Sequence, residues 1–271
     1  MQQQTISLSD LTAIQEKQIP LIQKNNNTRT MQKILIVAVT MMISLASIAQ
    51  KEIVWFDIGL KTQYGATGMY NSAIADSDEV DYIISKGYGL GGKLGINFGF
   101  NGLAIDFMAS TGTQEFDNVM DNENANPKVD YKSLDLYLLF RNARNLGYFE
   151  IGPKFSFVRD VEFTDELGAT ADVKDDFNSN YISGVIGFGA NVMGTDGAFS
   201  GILGLRFEYG FTDAVSNAGA ETSAPIYNPA VFTEGLKSTK PIFAGVVFEL
   251  NWGVGAFAVA KCGGRPKFIM F

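Results

Sequence analysis

From residue 50 onward the chain alternates apolar with small or polar side chains in eight runs, the period-two signature of a strand with two unlike faces. The first run, Ile53–Tyr64, sets Val54, Phe56, Ile58 and Leu60 against Asp57, Gly59 and Lys61. The second, Lys86–Phe100, places Tyr88, Leu90, Leu94, Ile96 and Phe98 opposite Gly91, Lys93, Gly95 and Asn97. In the third, Leu103–Thr113, Leu103, Ile105 and Phe107 oppose Ala104, Asp106 and Ser110. The fourth, Asp130–Arg141, alternates Leu134, Leu136, Leu138 and Phe140 with Ser133, Asp135, Tyr137 and Arg141. The fifth, Gly147–Val158, sets Phe149, Ile151, Phe155 and Phe157 against Tyr148, Glu150, Lys154 and Ser156, with Pro153 removing one ladder donor. The sixth, Asn180–Met193, has Ile182, Ile186, Phe188 and Val192 facing mostly Gly and Ser. The seventh, Ala198–Phe211, puts Phe199, Leu203, Leu205, Phe207 and Tyr209 against Ser200, Arg206 and Glu208. The eighth, Thr239–Trp252, sets Ile242, Val246, Phe248, Leu250 and Trp252 against Gly245, Glu249 and Asn251.

The connections alternate too. Links 2–3, 4–5 and 6–7 are tight, the first carrying Asn101-Gly102, a dipeptide suited to a two-residue hairpin turn. The other links are long. An even strand count with tight turns at one end and long loops at the other predicts an all-β fold, an eight-stranded antiparallel up-and-down transmembrane β-barrel over residues 50–252. Both termini then lie at the periplasmic end, and residues 253–271 form a C-terminal tail.

Eight strands leave an interior just wide enough for side chains to fill. The inward parity carries Asp57, Asp106, Asp135, Glu150, Glu208 and Glu249 with Lys61, Lys93, Arg141, Lys154 and Arg206. Buried charges are tolerated when paired and hydrogen-bonded, so these eleven predict a mutually neutralising lumen network. A gated pore or a proton path is the alternative use. Inward glycines let long neighbouring side chains pass. Gly87-Tyr88-Gly89-Leu90-Gly91 lacks the helix that a phosphate-binding loop needs. Trp55, Tyr64, Tyr88, Tyr148, Tyr209 and Trp252 fall near predicted strand ends, where interfacial aromatics sit.

Upstream, Met31 begins a short segment with Lys33, an apolar run Ile34–Ile48 and small residues at Ser47 and Ala49. This pattern predicts a secretory signal over residues 31–49, with cleavage expected after Ala49. The run is too short for a membrane-crossing helix, and no Cys adjoins the cleavage site. Residues 1–30 are a polar, Gln/Asn-rich extension, either disordered or upstream of the true start at Met31.

Residues 50–271 hold 17 basic and 27 acidic side chains, an unfavourable balance for nucleic acid. The four long loops concentrate the excess, with 18 acids opposed by Lys128, Arg159, Lys174 and Lys237. They read as a solvated acidic surface. Cation binding or docking of a basic partner are alternatives, but neither Asp172-Val173-Lys174-Asp175-Asp176 nor Asp117, Asp121 and Glu123 has calcium-loop spacing. The single Cys262 cannot form an internal disulfide. Histidine is absent, which removes Ser-His-Asp and Cys-His catalysis and the usual zinc sets. No enzyme activity, cofactor or metal site is expected.

The signal end Ser47-Ile48-Ala49-Gln50, the eight runs, Asn101-Gly102 and the terminal Phe271 resemble the small outer-membrane β-barrel proteins of Bacteroidetes-type bacteria. These are similar in build to OmpA-, OmpX- and OmpW-like barrels and PorT-like proteins. The resemblance covers about residues 31–252 and carries no functional residue across. One departure is the tail beyond Trp252, where Lys267-Phe268-Ile269-Met270-Phe271 could still present a terminal aromatic. The resemblance implies a monomer in the bacterial outer membrane, in contact with its lipid and, during biogenesis, with the barrel-assembly machinery. Three functions follow: a structural or surface-interaction protein acting through its acidic loops, a porin-like narrow path for small or apolar solutes, and a soluble lipocalin-like carrier. The carrier requires the two strand faces to be reversed.

Overall fold

The computed structural model describes residues 54–77, 80–118, 126–144, 147–194, 199–229, 237–258 and 267–270. The signal segment, its cleavage position, Asp121, Glu123 and Cys262 lie outside the described residues. Each alternating run becomes a strand: β1 (Val54–Tyr70), β3 (Ser85–Phe98), β4 (Asn101–Asn118), β5 (Lys128–Arg144), β6 (Gly147–Thr164), β8 (Asn180–Met193), β9 (Phe199–Gly210) and β10 (Lys240–Ala258). Three short strands are added: β2 (Val80–Ile83), β7 (Thr170–Asp172) and β11 (Lys267–Met270). Two helical turns, α1 (Ser72–Ala75) and α2 (Asn217–Glu221), are capped by Asn71 and Ser216, whose side chains accept from Ala73 N and Gly219 N. Among the described residues no helix is long and apolar enough to cross a membrane.

The long strands pair antiparallel in the order β1–β3–β4–β5–β6–β8–β9–β10, and β10 pairs again with β1, so the hydrogen bonding returns on itself as a ring. β2 joins β4, β7 joins β6, and β11 joins β10 where it runs past the start of β9. The structure therefore replaces the expected eight-stranded transmembrane barrel with an eleven-stranded antiparallel sheet closed by a ring of hydrogen bonds. The count of eight fails because β2, β7 and β11 have only three or four residues each, too short to show a period. The last long strand also continues to Ala258 instead of stopping near Trp252.

The first tight turn sits two residues earlier than expected. Phe98 pairs with Asn101, which leaves Gly99 and Phe100 as the central residues, with Gly99 at φ +62°. A glycine at the first central position meets the demand of a type II′ turn, so Asn101 and Gly102 are free to open β4. Pro153 leaves its mark in the ladder: β5 and β6 are in register at Tyr137/Lys154 and again at Phe140/Ile151, with a gap between.

Several strands outrun their sequence limits toward the long loops, and there the two faces change character. Along the turn-end half, inward positions are charged and outward ones apolar: Leu90 is 65% exposed and Phe107 55%, while Lys61 and Asp106 are buried. Further along the same strands come Met69, Phe116 and Val129 on the same inward parity, and Val161 of β6 on the opposite parity, turned inward by a bulge facing Lys132/Ser133; all are buried, and outward stand Glu115, Lys128, Asp130 and Glu162. Outward ion pairs Lys132–Asp160 (2.8 Å) and Lys128–Asp130 (3.2 Å) mark this upper zone. Ile74, Val80, Phe177 and Ile226 fold in from the loops to complete an apolar plug under the loop end. The apolar outer face ends where the inversion begins, so the outward apolar alternation is shorter than the strands themselves.

A charged interior as candidate functional site

Strand parity points every one of the eleven candidate residues into the enclosed space, and all eleven are buried: Asp57, Lys61, Lys93, Asp106, Asp135, Arg141, Glu150, Lys154, Arg206, Glu208 and Glu249. They fall into two groups. The larger holds four cations and four anions. Lys61 Nζ lies 2.6 Å from Asp106 and 3.2 Å from Glu249. Lys93 Nζ lies 2.8 Å from Glu249 and 3.1 Å from Asp57, and also donates to Asn251 Oδ1 at 3.0 Å. Arg141 spans Glu249 at 2.8 Å and Glu150 at 2.7 Å. Arg206 donates through Nε and Nη2 to Glu150 at 3.1 and 2.7 Å, and through Nη2 to Asp106 at 3.1 Å. Charge-assisted and forked bonds of this kind are the strong class of hydrogen bond.

The smaller group has one cation, Lys154, between Glu208 at 2.7 Å and Asp135 at 3.1 Å. Ser133 Oγ donates to Asp135 at 2.9 Å and Tyr137 Oη to Glu208 at 3.0 Å. The excess of one acid over the bases therefore resides in this layer. Tyr137 separates the two groups, with Arg206 4.6 Å above one side of its ring and Lys154 5.4 Å from the centroid. A cavity of about 30 Å³ opens beside Lys154 and Glu208, walled by Gln63, Tyr131, Ser133 and Tyr181. It is large enough to admit water and far below the volume of a metabolite site.

Register alone does not decide who meets whom. Lys93 stands directly across from Asp106, yet Lys93 turns to Asp57 and Glu249 while Asp106 goes to Lys61 and Arg206. Glycine makes room for these reaches: a Cβ on Gly95 would sit 1.7 Å from Asp57 Oδ1. Tyr148 needs correction. Placed among interfacial aromatics by its position, it is buried, with Arg141 4.6 Å over its ring. Its inward parity in β6 already carried that information. Tyr64, Tyr88, Tyr209 and Trp252 do face outward. Sequence reasoning missed Gln114. Its side chain is buried between β1 and the β2–β3 corner, accepting from Met69 N at 3.1 Å and donating to Ile83 O at 3.3 Å. It replaces peptide groups where β1 and β3 have ceased to pair beyond Thr67/Ser85.

The loop acids are used locally. Asp165 accepts from Leu167 N and Ala169 N, Asp172 from Lys174 N, and Asp213 from Val215 N and Thr239 N. Within the segment 172–176, Asp172 ends β7 and Lys174–Asp176 form a 3-10 turn. Burial raises the Tyr227 phenol well above its ordinary range and the nearby Asp176 carboxylate raises it further, so that ring stays neutral. Among the described residues no group of three or more His, Cys, Asp or Glu could hold a metal ion. Lysines and arginines bind the interior carboxylates, and the chain has no histidine.

No protein-family model matches the chain, and no curated protein does. Distant matches exist among solved structures. Neisserial surface protein A is 10% identical, covering 72% of this chain and 95% of its own, at a TM-score of 0.35. The outer membrane protein OprG from Pseudomonas aeruginosa is 13% identical, covering 78% and 99%, at 0.36. Ail, the attachment invasion locus protein of Yersinia pestis, solved with the heparin analogue sucrose octasulfate, is 12% identical, covering 73% and 99%, at 0.35. None of these singles out the Bacteroidetes-type or PorT-like proteins.

Proposed function

We propose that the protein is a non-enzymatic outer-membrane protein, seated in lipid by the apolar zone of its outer face, with a plugged interior and a loop end that serves as its interaction surface. The inversion of polarity along single strands carries this reading. In one zone the outer face is Leu, Ile and Phe over a charged interior. In the next it is Lys, Asp and Glu over an apolar interior. Burial in water alone favours apolar groups inside everywhere. An exposed apolar band this extensive marks a surface that meets something other than water.

The interior favours a plug over a path. Ion pairs fill one layer and an apolar cluster closes the next, so a solute would have to break both. A soluble carrier needs the opposite arrangement, an apolar pocket inside and a polar wall outside. The test is fractionation of cells expressing the full chain, followed by alkaline carbonate washing and brominated-lipid quenching of tryptophan. Retention in the outer-membrane pellet with quenching of the outward Trp252 is expected. Release into the carbonate supernatant, or no quenching, overturns the reading.

A further inference from the structure

A cavity of about 360 Å³ opens at the long-loop end, between the β6–β7 hairpin and the segment that follows α2. Its floor is apolar, made by Val80 and Ile226 of the buried loop-end cluster. One wall is aromatic, with the rings of Phe163 and Tyr227 4.5 Å apart. Asp165 and Glu166 line it as well, and no lysine or arginine is among its described lining residues. The Asp165 carboxylate is fixed in place by the Leu167 and Ala169 amides at 2.9 and 2.7 Å. Tyr227 holds a left-handed backbone at φ +62°, unfavourable for a large side chain, and its amide is secured to Ser223 O at 2.8 Å.

From this we infer that the cavity is a binding site for an organic ammonium ion with an apolar or aromatic body. The volume lies in the range of small-molecule sites. Aromatic faces attract a cation through the ring quadrupole, and more strongly when it is partly desolvated. Two carboxylates supply the complementary charge, on a chain whose net charge is −8. An anionic ligand meets like charge here, and a neutral one forfeits the electrostatic part of the attraction. The site does not depend on what covers the apolar outer face.

The full chain in octyl glucoside, a detergent without an ammonium group, is titrated by calorimetry with benzyltrimethylammonium. Benzyl alcohol and phenylacetate serve as the neutral and anionic counterparts. Saturable binding of the cation is expected, at least about tenfold tighter than the alcohol, with no binding of phenylacetate. Tyr227→Gly keeps the left-handed backbone accessible while deleting the ring, and Glu166→Gln removes one charge without changing shape. Each should weaken the cation about fivefold. Should Tyr227→Gly fail to fold, Glu166→Gln and the loss of affinity with added salt still decide. Equal affinity for cation and alcohol, binding of phenylacetate, or no saturable binding of the cation overturns the proposal.

Discussion

At Arg206 three side chains offer oxygen acceptors to one guanidinium: Glu150, Asp106 and, at 3.3 Å, Gln63. Removing it leaves Asp106 to Lys61 and Glu150 to Arg141, so four buried carboxylates share three cations, and an uncompensated buried charge costs far more than the net contribution of an intact pair. Arg206→Ala is expected to lower stability by about 3–5 kcal/mol, read as a shift in the urea midpoint of tryptophan fluorescence in lipid vesicles. Asp135→Asn should cost less than about 1 kcal/mol in the same assay, because Lys154 retains Glu208 and the amide oxygen can still accept from Ser133. If the two substitutions cost the same, the division into a balanced and an unbalanced group is wrong. A methyl group at Gly95 has no space beside Asp57, so Gly95→Ala must displace that carboxylate from Lys93.

Between elements, the weak place is the seam where β1 runs on past β3. Gln114 supplies an acceptor for Met69 N there and, beside Ser85 Oγ, a second donor for Ile83 O. Gln114→Leu fills the same space and removes the side-chain acceptor of Met69 N, while Ile83 O keeps Ser85 Oγ, an expected loss of about 1–3 kcal/mol. The specific signature is faster hydrogen exchange at the Met69 amide, and unchanged protection there would refute the bridging role. Deeper in the apolar cluster Phe116 is fully buried, and Phe116→Ala should cost about 3–5 kcal/mol through lost burial and an unfilled cavity. That loss should fall on the loop-end strands first, with the charged layer still protected from exchange.

For the whole molecule, two closed layers in series predict electrical silence. The full chain in planar bilayers should give no steady currents, whereas reproducible single-channel steps would show that the layers part. The outer face makes a matching prediction. Leu90→Arg and Phe207→Arg place charges within the apolar zone and should release protein from the membrane pellet, while Glu162→Lys in the polar zone should not. Loss of retention in all three, or in none, would separate the apolar zone from membrane seating.

The period-two pattern by itself determined which residues share a face between bulges, because side chains alternate along an unbroken strand whatever the strand pairs with. That is why Asp57, Lys93, Glu150 and Glu249 could be grouped as inward from sequence, and why Tyr148 should have joined them. It could not determine partners. Lys93 neighbours Asp106 across the ladder but reaches Asp57 and Glu249, a choice made by side-chain length, the space above glycines and the charges arriving from strands distant in the chain. The short strands β2, β7 and β11 were invisible for a related reason: segments of three or four residues pair because a longer neighbour offers an edge, not because of their own pattern. The inversion of the two faces was likewise written in the alternation, as Met69, Phe116 and Val129 on the inward parity, whereas Val161 faces inward only because a bulge in β6 shifts the parity. Only tertiary structure turned those positions into a plug, by folding Ile74, Phe177 and Ile226 over them from loops with no period of their own.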